Sequence, residues 1–177
     1  MRDFSDEELL RIYKDTTGIQ RQKAFDCLYL RYSESLAQYF FFALHKDHEK
    51  ARDFVHDLFL KILESPDKFD TNQRFKSWIY KVASNMCKNE YRRSEVVNKF
   101  YDHLQRTIVN YTDLNECEIK LAESIKKLSQ EQRSLIVLRF KIKLSIHEIA
   151  EICECPEGTI KSRLFYAVKE LSKYYKG

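Results

Sequence analysis

Turn-forming residues are scarce in this chain of 177 residues, which holds only the glycines Gly18, Gly158 and Gly177 and the prolines Pro66 and Pro156. A β-sandwich or barrel needs such residues at its tight turns, so the shortage predicts an all-α fold. It also excludes the glycine-rich phosphate loops, because neither G-x-G-x-x-G nor G-x-x-x-x-G-K-[ST] can be written with these positions. Long apolar runs are missing too. The most apolar stretch, Tyr39 to Leu44, is far too short to cross a bilayer, so no membrane insertion is expected. Met1 to Glu8 is acidic and lacks the apolar stretch of a secretory signal, which predicts a cytoplasmic protein with reduced thiols.

The cysteines Cys27, Cys87, Cys117, Cys153 and Cys155 are odd in number and form no C-x-x-C, so neither a disulfide framework nor a metal site is expected. Cys153 and Cys155 form a C-x-C pair without a second ligand pair, and read better as small hydrophobes. The histidines His45, His48, His56, His103 and His147 are scattered and pair with no identifiable nucleophile. No catalytic residue, metal or cofactor is expected.

Charge is segregated. Arg74 to Arg93 holds six basic residues and one acidic one, interleaved with Phe75, Trp78, Tyr80 and Tyr91. Upstream, Ala43 to Gln73 holds five basic and seven acidic residues, and residues 121 to 177 hold 11 against 7. A basic aromatic face suits nucleic acid, and a separate acidic face suits a protein partner. Either patch alone is equally compatible with a solvated helix face.

Helix punctuation sets the organisation. Ser5 with Glu8 forms a capping box for a helix to about Lys14. Ala24, Phe25, Leu28, Tyr32, Leu36, Tyr39 and Phe40 recur at helical spacing from about Gln20 to Leu44. Asp47 is the predicted N-cap of a third helix, which Ser65-Pro66 ends at Glu64. The basic segment starts a helix near Arg74 that is expected to break at Ser84-Asn85, since both residues favour caps. From about Glu95 to Leu114 apolar periodicity fades, predicting a linker between a domain of residues 1–94 and one of residues 115–177. The second domain is expected to hold helices over 115–127 and from Ser129 to about Phe140. Two more follow, Ser145 to Cys153 and Pro156 to Tyr174, with helix-turn-helix spacing. Glu154 stands in that turn, where a generic helix-turn-helix prefers glycine.

These residues resemble the extracytoplasmic-function group of bacterial sigma factors at three collinear places. Ala51 to Leu60 (ARDFVHDLFL) resembles that family's polymerase-binding helix, and Phe75 to Asn85 (FKSWIYKVASN) its strand-opening segment. Ser145 to Ile152 with Cys155 to Leu164 (SIHEIAEI, CPEGTIKSRL) resembles its promoter-binding region. The resemblance implies a non-enzymatic factor that binds core RNA polymerase, at the clamp coiled coil and the flap, and directs initiation at promoter DNA through the −10 and −35 elements.

By the same resemblance Asp53, Phe54, Asp57, Phe59 and Leu60 contact the polymerase. Lys76, Trp78, Tyr80, Lys81, Asn85, Lys88, Arg92 and Arg93 grip and open the −10 element, with Asn85 at the position that captures a flipped base. Trp78 suits a stacking role or plain core. Pro156, Gly158, Thr159, Lys161, Ser162, Arg163, Phe165 and Tyr166 lie at the −35 element. An anti-sigma factor, membrane-bound in some relatives, is the implied regulator. Tyr166 and His56 depart from the family, where a basic residue and a glutamine are common. A conventional helix-turn-helix regulator would leave the acidic helix unexplained, and a helical adaptor would leave the basic faces unexplained.

Overall fold

Helix-start chemistry accounts for the first boundaries. In α1 (Asp6–Asp15) the Ser5 hydroxyl accepts from the Glu8 N–H at 3.2 Å while the Glu8 carboxylate accepts from the Ser5 N–H at 2.7 Å. The long α2 (Gly18–Ala43) follows, and α3 (His48–Glu64) opens on Asp47, whose carboxylate accepts from the Lys50 N–H at 2.9 Å. The structure, a computed structural model, describes residues 3–44, 47–65, 68, 69, 74–101, 124, 125 and 127–175, with backbone alone over 94–101 and at 174 and 175.

The fourth helix corrects the sequence reading. α4 (Phe75–Tyr101) runs unbroken through Ser84-Asn85. Ser84 is buried, and Ile79, Tyr80, Ala83, Met86 and Cys87 around it are buried as well. Tertiary packing of that apolar stripe outweighs the weak local preference of serine and asparagine for caps. α4 also covers the first residues of the expected linker, 95–101. The rest of that linker, and the helix expected over 115–127 apart from residues 124, 125 and 127, lie outside the described residues.

The C-terminal part begins with α5 (Gln130–Ile136), opened by a reciprocal Ser129–Gln132 capping box. Where the sequence predicts α-helix to Phe140, a π-helical turn forms over Val137–Lys141, and the Ile142 N–H reaches back five residues to the Val137 carbonyl at 3.0 Å. Lys143, at φ 59°, then turns the chain into α6 (Ile146–Cys153), capped by Ser145 with Glu148. Glu154 takes the left-handed conformation at φ 51°. The Cys155 N–H bonds to the Ala150 carbonyl at 3.2 Å, a Schellman-type stop normally given to glycine. Then α7 (Glu157–Tyr175) begins directly after Pro156. The fold is all-α, with no strand among the described residues.

The two parts share one hydrophobic cluster. Leu28, Leu36, Tyr39, Phe40, Leu58, Ile79 and Tyr80 of the first half join Leu135, Leu138, Ile149, Ile152 and Ile160 of the second. Polar groups reinforce this joint. The Tyr39 and Ser134 hydroxyls lie 2.8 Å apart, and Arg133 donates to the Ala43 carbonyl at the end of α2 at 3.4 Å. The Lys141 ammonium sits 4.9 Å from the Phe42 ring centroid.

Candidate nucleic-acid and partner interfaces

The apolar period of α3 points Val55, Leu58, Phe59 and Ile62 inward, so Asp53, His56 and Asp57 face solvent with Leu60, a leucine left 51% exposed. This is an acidic strip with an apolar centre, the composition of a protein-docking face. Phe54 is half-buried with its ring 5.3 Å from that of Phe40. Phe59 is corrected. It is 3% exposed and packs against Phe25 and Tyr29 at 5.7 and 4.8 Å, so it shapes the face without lying on it.

Along α4 the expected residues divide by burial. Asn85, Lys88, Arg92 and Arg93 are exposed along the middle of the helix, a basic row that also holds the exposed amide of Asn89. Lys76 and Lys81 are half-buried nearer its start. Trp78 is half-buried in a ring cluster with Phe69 and Phe75, at 5.2 and 5.7 Å. Tyr80 is a second correction. It is 1% exposed, 5.8 Å from the Tyr39 ring, and burial pushes its hydroxyl up to about 12. Such a side chain stacks on core, not on bases.

On α7 the inward positions Ile160, Leu164 and Ala167 are buried and the opposite face is open. Gly158, Lys161, Ser162 and Arg163 are exposed, as is Pro156 just before the helix; Thr159 is half-buried. Phe165 and Tyr166 are 64% and 62% exposed with rings 5.6 Å apart, so the face combines cations, a hydroxyl and bare aromatic rings. Such a face fits the phosphates, base edges and thymine methyls of a major groove.

Sequence reasoning missed several positioning groups. The Glu7 carboxylate on α1 accepts from the Phe75 N–H at 3.0 Å and so fixes the start of α4. Lys50 on α3 pairs with Glu90 on α4. The buried Arg133 donates to the carbonyls of Ile125 and Leu128, at 3.2 and 3.1 Å, as well as to Ala43. Finally, Glu148 and Glu151 of α6, with Glu154 just past its end, meet Lys76, Ser77 and Lys81 of α4. Their three-residue spacing, E-x-x-E-x-x-E, was the available signal for one acidic stripe.

A cavity of about 50 Å³ at the joint is lined by Ser84, Lys88, Ser134, Cys153 and Arg163 among others, a size suited to water. Burial pushes the neighbouring core thiol of Cys87 up to about 12, which keeps it protonated. Among the described residues no His/Cys/Asp/Glu group is placed to hold a metal ion, and no helix is long and apolar enough to cross a membrane.

Comparison with known proteins matches residues 28–97 to the family described as Sigma-70 region 2 and residues 124–173 to Sigma-70, region 4. The RNA polymerase sigma-H factor of Pseudomonas aeruginosa is 29% identical over 167 residues, 86% of each chain. The ECF RNA polymerase sigma-E factor of Escherichia coli strain K12 is 30% identical over 161 residues, 82% of this chain and 83% of its own. Among solved structures, the sigma factor RpoE in complex with the anti-sigma factor NepR, from Bartonella quintana, superposes with a TM-score of 0.71. It is 26% identical and covers 87% of this chain and 98% of its own. CnrH in complex with the cytosolic domain of CnrY shares the fold, with a TM-score of 0.69 at 21% identity over 95% of each chain.

Proposed function

Because the chain belongs to the extracytoplasmic-function group of RNA polymerase sigma factors, which recognise promoters and direct transcription initiation, we propose how its surfaces divide that work. Residues 1–94 form the polymerase-binding and −10 part, 95–114 the linker, whose first residues to Tyr101 continue α4, and 115–177 the −35 part. The acidic strip of α3 docks core polymerase at its clamp coiled coil: Leu60 and the edge of Phe54 supply apolar area, and Asp53 and Asp57 set orientation against basic partners. The second part engages the flap. Lys88, Arg92 and Arg93 neutralise phosphates at the −10 element while Asn85 receives an extruded base through its amide. Lys76 and Lys81 extend that grip, and Trp78 borders it from the ring cluster. The exposed face of α7 reads the −35 element.

The observation that carries this reading is that three helices each keep an open face, acidic on α3, basic on α4 and mixed on α7, the last two meeting where Lys88 and Arg163 line the cavity at the joint. The chain acts without chemistry of its own, in the cytoplasm. An anti-sigma factor is its regulator, a reading supported by the likeness to a sigma factor solved in complex with one.

The test is transcription in vitro by core polymerase with added chain, on a closed template and on one mismatched over the melted segment. Asn85→Ala is expected to impair the closed template more than the pre-melted one. Lys161→Ala and Arg163→Ala are expected to weaken both templates equally, by about 1–3 kcal/mol where a base contact is lost. Rescue of the α7 variants by pre-melting, with none for Asn85→Ala, would reverse the assignment.

A further inference from the structure

Helix α4 begins without a cap of its own. Arg74 stands just before it and its carbonyl accepts the first helical bond, from the Trp78 N–H at 3.1 Å, but its side chain carries no acceptor. The first N–H groups of a helix have no partner within the helix. Glu7 supplies one from 68 residues away, its half-buried carboxylate accepting from the Phe75 N–H at 3.0 Å. A carboxylate at that place also meets the positive end of the helix dipole. Helix α1, which carries Glu7, is itself fixed by polar groups. The Asp6 carboxylate accepts from Arg31 of α2 at 2.7 Å and from the Tyr32 hydroxyl, and the Lys14 ammonium donates to the Phe69 carbonyl at 2.9 Å. Phe69 and Phe75 are buried with their rings 5.6 Å apart, and the Tyr32 ring lies 5.3 Å from that of Phe75. Through the Phe69 carbonyl and the Phe75 N–H, α1 thus holds at two backbone points the ring cluster in which Trp78 sits.

We propose that Glu7 is a positioning residue for strand opening, which from α1 holds the first turn of α4 in the geometry that grips the −10 element. The inference rests on the −10 reading of α4 given above. Glu7 does not touch DNA in this role. A carboxylate repels phosphates, so its place beside a basic segment is explained by the helix start it caps and not by contact with a nucleic acid. Lys76 and Trp78 lie in that first turn and Lys81 in the next, so fraying of the turn moves the grip itself. Asn85 lies ten residues further on, about 15 Å along the helix, among the buried Ala83, Met86 and Cys87. Loss of the cap therefore weakens the grip at the start of α4 and leaves base capture at Asn85 in place.

The test uses the full chain, alone for hydrogen exchange and with core polymerase for promoter opening on a closed template and on one mismatched over the melted segment. Glu7→Ala removes the acceptor, whereas Glu7→Gln keeps an acceptor oxygen and drops the charge. In Glu7→Ala the amides of residues 75–78 are expected to exchange about fivefold faster, and opening of the closed template to fall about three- to tenfold, with most of the loss recovered on the pre-melted template. Glu7→Gln is expected to stay within about twofold of native in each measurement. Circular dichroism checks that the helices persist. A second variant moves the cap into the segment itself: Arg74→Ser added to Glu7→Ala places a hydroxyl at the helix start and should restore both protection and opening, with Arg74→Ser alone as the reference for the lost charge. Native protection of residues 75–78 in Glu7→Ala would overturn the cap. Equal losses on both templates, or no recovery with Arg74→Ser, would overturn the positioning role. Faster exchange with unimpaired opening would overturn it too, and Asn85→Ala measured alongside tells which step failed: impaired opening there leaves the −10 reading standing and removes Glu7 alone, whereas unimpaired opening there removes the −10 reading and the role of Glu7 with it.

Discussion

Replacing Arg133 by methionine keeps most of the side-chain volume and deletes the guanidinium. Arg133 is 2% exposed and donates to the carbonyls of Leu128, Ile125 and Ala43 at 3.1, 3.2 and 3.4 Å. Hydrogen bonds from a charged donor contribute about 1.5–3 kcal/mol each, and the longest here lies at the weak end. Against this stands the cost of burying a cation, visible in the lowering of its pKa by desolvation. The Ile125 carbonyl keeps a second donor in the Leu128 N–H at 3.2 Å, so the orphaned acceptors are chiefly those of Leu128 and Ala43. The net loss for Arg133→Met is therefore expected at about 2–4 kcal/mol, a large part of the roughly 5–15 kcal/mol that holds a domain folded.

Urea unfolding followed by ellipticity and by the fluorescence of Trp78, the only tryptophan, measures it. Trp78 lies in the first half and Arg133 in the second, so both midpoints should fall together if the shared core makes the halves one cooperative unit. Because the guanidinium is buried, the loss should be nearly the same in high salt. A change below about 1 kcal/mol would refute the reasoning on burial. A shift in ellipticity with Trp78 fluorescence unmoved would refute the coupling of the two halves.

Two further outcomes are expected. Glu148 has a folded pKa depressed to about 2 from 4.5, so its contribution is full above about pH 4.5 and is lost as pH falls toward 2; urea melts should show the native chain losing about 1–3 kcal/mol more than Glu148→Gln over that window, and parallel pH profiles would contradict the assignment. Glu154→Gly relieves a left-handed residue that carries a side chain, and calorimetry should find the thermal midpoint raised by roughly 2–4 °C despite the lost pairing with Lys81; a lowered midpoint would mean that the pairing outweighs the backbone strain.

The helix boundaries that the sequence reveals are those governed by local chemistry. Ser5, Asp47, Ser129 and Ser145 all cap as their spacing to the following residues requires, because a side-chain oxygen three residues from an orphan N–H satisfies it whatever the rest of the chain does. Ser84 and Asn85 show the opposite case. Their cap preference is a few tenths of a kcal/mol, whereas the apolar stripe around them buries several full side chains, and only the tertiary structure reveals which prevails. The π-helical turn at Val137–Lys141 has no signature in residue spacing. Nor does the packing of one half against the other, since an apolar face does not specify which partner will cover it.

For the candidate interfaces, periodicity separates the exposed members of α3 and α7 from the buried ones, but a family resemblance transfers positions and not exposures. Phe59 and Tyr80 illustrate the difference, because both fall within matched motifs and both are buried. Substituting either would be expected to impair transcription through packing. Tyr80 abuts Tyr39, whose hydroxyl meets Ser134 across the joint, so a cavity at Tyr80 would disturb α4 and the second half together. Lost activity at these two residues is therefore no evidence of contact with DNA or polymerase. The informative quantity is activity at matched fraction folded. Tyr80→Phe removes only a hydroxyl and should retain near-native transcription, whereas Tyr80→Ala should lose about 3–5 kcal/mol of stability. Asn85→Ala, at an exposed position, should leave the melting curve within about 0.5 kcal/mol of native and still impair opening of the closed template. If Tyr80→Phe abolished initiation while its melting curve stayed native, the buried hydroxyl would have to act on DNA, and the division between positioning and contact residues drawn from burial would fail.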